Sequence, residues 1–144
     1  MADALPRRWE RVALLVILCL ALGLRLYRLD AQSLWNDEGT SVALAQRDLA
    51  TITRNAAADI HPPLYYYLLH FWVCLVGTGE CAVRSLSVLA GLLLVGVTYL
   101  LARRFFGPGA ALWAALFTAL SPFQVYYAQE ARMYTMLTAL TVIS

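Results

Sequence analysis

"SLSVLAGLLLVGVTYLLARRFFGPG", Ser85 to Gly109, is the stretch on which the fold turns. Residues 85–102 carry no charge. A helix needs about 20 mostly apolar residues to cross the hydrocarbon core of a bilayer. The run therefore predicts a transmembrane helix over 84–102. Arg103 and Arg104 close it, and "GPG" supplies the breakers for a turn.

Working outward, a second such run precedes it. "VALLVILCLALGLRLYRL" (12–29) follows a basic start with Arg7, Arg8 and Arg11. A secretory signal has that charge pattern but ends at a small-residue cleavage site. This run ends in Arg25, Tyr27 and Arg28 instead, so an uncleaved first span is expected, its N-terminus inside by the positive-inside rule. Arg25 and Arg28 are expected to snorkel to the outer interface. After the turn at 107–109 comes "AALWAALFTALSPFQVYYA" (110–128), a third span with Pro122 near its end. "QEARMY" (129–134) leads into a final apolar segment, 133–144, that stops short of a full crossing. The chain is expected to be the N-terminal portion of a longer protein.

The composition agrees with a polytopic membrane protein. The chain is 61% hydrophobic and 14% charged, against about 25% charged in soluble domains. The net charge of +2 gives no reason to expect nucleic acid. Cys19, Cys74 and Cys81 have no metal-binding spacing and form no disulfide framework.

Residues 30–83 are the most polar part. A short surface helix is expected over 38–50, and "HPPLYYYLLHFWVCLVGTGE" contains an apolar segment, 63–77, that is short for a span. Tyr65, Tyr66, Tyr67 and Trp72 suit a membrane interface. Two topologies follow. If 63–77 spans, "QEAR" falls on the side opposite Asp37. If 63–77 is interfacial or re-entrant, 30–83 is one outer loop and "QEAR" lies beside Asp37. Each topology puts five arginines inside, so charge does not choose. The length of 63–77 favours the second.

Charges at membrane depth cost at least about 2.5–3.5 kcal/mol each on insertion scales and tend to be functional. Three clusters stand out: Asp37–Glu38 in "SLWNDEGTS" (33–41), Asp59 and His61 in "DIHPP", and Gln129, Glu130, Arg132 and Tyr134 in "QEARMY". A carboxylate base, a histidine and an arginine at one cleft suit group transfer with a phosphate leaving group. The base takes the proton of an acceptor hydroxyl, and the cations stabilise the departing phosphate. Each residue also has a plainer reading. Asp37 suits an N-cap, His61 a turn before two prolines, and His70 a packed helix face. The tyrosines at 65–67 suit interface anchors.

In order and spacing, "LWNDEGTS", "HPPLYYYLLHFW", "AVRSLSVLAGLLLVGVTYLLARRFFG" and "SPFQVYYAQEARMYTML" resemble the N-terminal part of the family 39 glycosyltransferases. These are GT-C membrane enzymes akin to protein O-mannosyltransferases. The resemblance implies an all-α polytopic membrane protein, a GT-C-type helical bundle. It implies inverting transfer of a sugar from a polyprenyl-phosphate donor to a lipid, glycan or protein acceptor, at the outer face of the plasma membrane. Asp37 then corresponds to the proposed general base and Glu38 to a supporting acid. His61, Glu130, Arg132, Tyr65, Gln129 and Tyr134 become candidates for binding substrate and phosphate. Relatives often carry an aspartate where this chain has Tyr134, which leaves Glu130 as the candidate second acid. Asp37, Glu38 and Glu130 offer oxygen ligands for a divalent cation, though nothing in the sequence requires a metal or other cofactor. Two other classes stay open. One is an ion-coupled transporter subunit using the same acids, and the other is an inactive truncated membrane scaffold.

Overall fold

A computed structural model describes residues 7–58 and 63–144. Its elements are α1 (Arg7–Leu26), α2 (Asn36–Ala45), α3 (Leu49–Ala58), α4 (Pro63–Val76), α5 (Glu80–Phe106), α6 (Pro108–Leu120), α7 (Pro122–Ala128) and α8 (Tyr134–Ile143). The described residues are all-helical, as expected, with no strand.

α5 is the mast of the fold. At 27 residues it is about 40 Å long, and among the described residues it alone is long and apolar enough to cross a membrane. Glu80 in its first turn and Arg103 and Arg104 in its last complement the helix dipole. It ends at Gly107, whose φ of +84° suits glycine. Pro108 then opens α6 where a missing N–H costs nothing.

α6 folds back along α5 through an alanine stripe. Ala111, Ala115 and Ala119, four residues apart on one helix face, are all 0% exposed. Small side chains let helices approach closely in a lipid environment, and this stripe packs with Ile17 and Ala21 of α1 and Val95 and Tyr99 of α5. Large apolar residues such as Leu15, Val16, Leu93, Leu100 and Phe117 point outward. A bundle bathed in hydrocarbon has no reason to bury them.

α1 and α5 run antiparallel. Glu10 near the start of α1 pairs with Arg103 near the end of α5, while Arg84 in the second turn of α5 reaches the carbonyls of Leu29 and Gln32, just past α1. The chain between them therefore begins and ends at one end of the pair. There α2, α3 and α4 enclose a second core of Val42, Ala45, Ile52, Tyr65, Tyr66 and Leu69, joined by Val83, Ala131 and Met133.

Several expected elements differ. The helix expected over 38–50 is two helices. Asp48 interrupts it by capping α3, its carboxylate accepting from the Thr51 N–H at 2.9 Å and the Thr51 hydroxyl at 2.7 Å. The run 110–128 is likewise broken, at Ser121 and Pro122, into α6 and α7.

Arg25 does not snorkel: it is 0% exposed. Its Nη1 donates to the carbonyls of Ala21 at 3.1 Å and Ala119 at 3.3 Å, and Nη2 reaches Thr118 O at 3.5 Å. The cause lies in Pro122. Without an N–H it leaves Thr118 O without the usual partner four residues on, and the guanidinium fills that gap. Gly91 makes room, since a Cβ there would fall 2.7 Å from Arg25 Nε.

Candidate active site

Trp35 in extended backbone is the N-cap of α2, which sets Asn36, Asp37 and Glu38 as its first three residues. Asp37 is thus inside the first turn and is not the cap. Neighbours on a helix point about 100° apart, so the two adjacent carboxylates face different surroundings.

Glu38 points inward and is 1% exposed. Its Oε1 accepts from Arg84 Nε at 3.0 Å and from the Ala131 N–H at 2.7 Å. Its Oε2 accepts from Arg84 Nη2 at 2.7 Å and from the Trp35 N–H at 3.1 Å. The last bond is half of a capping box; an indole has no acceptor to complete the other half. Burial pushes the Glu38 carboxyl up, but the Arg84 hydrogen bond and the two backbone N–H donors outweigh it. The net result is a carboxyl held below its ordinary value. With both oxygens engaged, Glu38 is a brace that sets the position of its neighbour.

Arg84 is the partner that sequence reasoning passed over. It is 4% exposed, and its Nη1 donates at 2.8 Å to both Leu29 O and Gln32 O. One guanidinium therefore hangs the 29–33 loop, the start of α2 and, through Glu38, the 129–133 turn on the top of α5. The signal was present in "AVRSLSV", an arginine at the head of an uncharged run, where charges are costly unless paired.

Asp37 points the other way. Its side chain is 73% exposed, and Oδ2 stands 3.7 Å from Nη2 of Arg132. Arg132 is itself only 14% exposed. Its Nη2 reaches the Tyr134 hydroxyl at 3.4 Å, and its guanidinium carbon sits 5.6 Å from the Tyr134 ring centre. Between them opens a cleft of about 340 Å³, lined by Trp35, Asn36, Asp37, Glu38, Tyr126, Tyr127, Glu130, Arg132 and Tyr134. Tyr127 anchors its aromatic wall, edge-on to Tyr126 at 5.3 Å and to Tyr134 at 5.1 Å.

Five of the expected residues thus share one cleft: Asp37, Glu38, Glu130, Arg132 and Tyr134. Two are placed elsewhere. The Gln129 side-chain amide donates to Leu24 O, Arg25 O and Tyr27 O at 3.3, 3.2 and 2.9 Å. It satisfies the carbonyls that the end of α1 leaves open rather than facing the cleft. Tyr65 is 1% exposed and belongs to the core beneath α2. His61 and Asp59 lie outside the described residues. Among the described residues no group of three or more His, Cys, Asp or Glu gathers closely enough to hold a metal, so Asp37, Glu38 and Glu130 do not form a ready cation site.

A carboxylate open to solvent, facing a guanidinium across a tyrosine-walled cleft, can accept a proton on one side and hold an anion on the other. Comparison with known proteins adds one finding. The family model described as dolichyl-phosphate-mannose-protein mannosyltransferase matches residues 60–144, more than half of the chain. No curated protein and no solved structure matches.

Proposed function

The chain belongs to the dolichyl-phosphate-mannose-protein mannosyltransferase family; Asp37 lies before the matched residues, and on the geometry of the cleft we propose that it is the general base of the sugar transfer. Membership implies a membrane-embedded glycosyltransferase fed by a polyprenyl-phosphate-linked sugar. The proposal concerns the residues and the face. Asp37 removes the proton from an acceptor hydroxyl. That oxygen attacks the anomeric carbon from the side opposite the phosphate, the bond from carbon to phosphate oxygen breaks, and the phosphate leaves with the electron pair. Attack from the far side inverts the anomeric centre.

The observation that carries this reading is the 3.7 Å approach of Asp37 Oδ2 to Arg132 Nη2 at the cleft. Arg132 is the natural ligand for the donor phosphate, since guanidinium binds phosphate with charge-assisted hydrogen bonds. When phosphate takes the guanidinium, Asp37 is released to accept a proton. Glu38 acts through Asp37 as a positioning residue. Glu130 and Tyr134 line the same cleft and are the remaining candidates for substrate contact.

We assign this cleft to the outer face of the membrane. Arg7, Arg8 and Arg11 begin α1, Arg103 and Arg104 end α5, and both belong to the opposite end of the bundle. With the N-terminus of α1 inside, the Glu10–Arg103 pair puts the end of α5 on the cytoplasmic side as well. In this topology α4 stays on the outer side and does not cross. The deciding experiment measures transfer from a polyprenyl-phosphate sugar by full-length Asp37→Asn protein. Loss of turnover in a correctly inserted variant supports the base; unchanged turnover removes it.

A further inference from the structure

The end of the bundle opposite the cleft carries a second polar cluster that sugar transfer does not use. Glu10 is 4% exposed although it lies in the first turn of α1. Its carboxylate accepts a hydrogen bond from the Tyr99 hydroxyl. It also pairs with Arg103, whose Nε stands 2.8 Å from one oxygen and Nη2 3.3 Å from the other. That fork leaves Nη1 of Arg103 uncommitted, and the side chain remains 46% exposed. Arg11, beside it, has no hydrogen bond or ion pair among the described residues. Glu10, Arg11, Tyr99 and Arg103 line a hollow of about 260 Å³.

Two further observations give the hollow a direction. Arg8 and Arg104 are exposed at the same end, so four arginines gather at the end that holds one buried and already paired acid. Trp9, Phe105 and Phe106 are 66%, 68% and 77% exposed there. Tryptophan gathers at the headgroup level of a bilayer, and the two phenylalanines beside it offer apolar surface to the acyl chains. A basic end needed only for orientation would require no internal scaffold. Here the buried Glu10 and Tyr99 hold one guanidinium in a fixed place next to a free one.

We propose that this hollow holds the phosphate of an anionic phospholipid headgroup, with Arg11 and Arg103 as its guanidinium ligands and Glu10 and Tyr99 as positioning residues. Any phosphate shares the recognition chemistry; the exposed Trp9, Phe105 and Phe106 at the same end of the bundle commit the site to a lipid. The inference rests on the membrane reading of α1 and α5 and is separate from the chemistry at Asp37.

The test is native mass spectrometry of the full-length protein released from nanodiscs of phosphatidylcholine mixed with phosphatidylglycerol. Wild type should retain phosphatidylglycerol in preference to phosphatidylcholine. Arg11→Gln, which breaks no internal contact, should lower that retention about fivefold, the scale of one arginine at an anionic leaflet. The double variant R11Q/R103Q should lower it further. Arg47→Gln, a change in the exposed α2–α3 link, should retain the lipid as wild type does, and so should D37N. Equal retention of the two lipids by wild type, or R11Q indistinguishable from wild type, overturns the proposal. So does displacement of the lipid by excess inorganic phosphate, which would identify a soluble phosphate as the ligand.

Discussion

Glu38 and Arg84 meet through two hydrogen bonds of 3.0 and 2.7 Å, both side chains almost fully buried, although 46 residues separate them. This pair brings the first loop onto the top of α5, and Asp37 takes its position from it. Removing one partner of a buried pair leaves the other charge uncompensated and typically costs about 3–5 kcal/mol. Glu38→Gln and Arg84→Gln should each lower the thermal stability of the detergent-solubilised protein by that order. Arg84→Lys should rescue little, because an ammonium cannot form the fork. A melting temperature unchanged in E38Q would show that the pair does not brace the fold.

The same pair predicts an acid limb. Glu38 is held below its ordinary value of 4.5, so the folded state favours its ionised form. Its contribution is complete above that value and is lost as pH falls through the lower, folded value. Wild type should lose stability over that acid range, and E38Q should lack this component. Parallel pH dependence of the two proteins would count against the assignment.

Asp37→Asn should leave stability close to wild type, since the side chain is 73% exposed. Transfer should fall by roughly 10²–10⁴-fold, the usual contribution of a positioned general base. Asp37→Glu keeps the carboxylate but shifts it and should lie between the two. A D37N protein that is inactive because it melts early would point to a structural role instead.

Arg132→Gln should lower turnover by about 10²–10³-fold, the scale for removing a preorganised donor to developing charge. The Michaelis constant for the polyprenyl-phosphate donor should rise, while that for the acceptor should stay near wild type. A selective effect on the acceptor would reverse the assignment of the two sides of the cleft.

Gly91→Ala tests the seat of Arg25. The added Cβ would lie 2.7 Å from Arg25 Nε and 3.1 Å from Ala128 Cβ. Overpacking of this kind typically costs about 1–3 kcal/mol, and a fall in melting temperature is expected. Gly96→Ala in the same helix has open space around it and serves as the control.

Much of the fold was legible from local chemistry. The uncharged run at 85–102, the arginines behind it and the Gly-Pro turn define α5 and the start of α6 without reference to any other part of the chain. Breaks were harder to read. Asp48 and Pro122 each open a new helix inside a stretch that reads as one, because capping and a missing N–H act on single hydrogen bonds that a window average does not resolve. Arg25 was misread for a related reason. Snorkelling is its cheapest option on an isolated helix, whereas in the folded bundle the open carbonyls of Thr118 and Ala119 offer a buried one.

The cleft divides the same way. The sequence by itself determined a helical membrane chain with two adjacent acids after its first apolar run and an arginine motif further on. Only the tertiary structure decided which acid is buried and which stays open. Asp37 and Glu38 are one residue apart, yet the helix turns them toward different surroundings. Glu38 meets Arg84 and the Ala131 N–H, the latter 93 residues distant, and becomes a buried brace. Asp37 meets water and Arg132 and stays available. Nothing within "WNDEG" distinguishes them, because what separates them is the set of donors that other helices bring to each carboxylate.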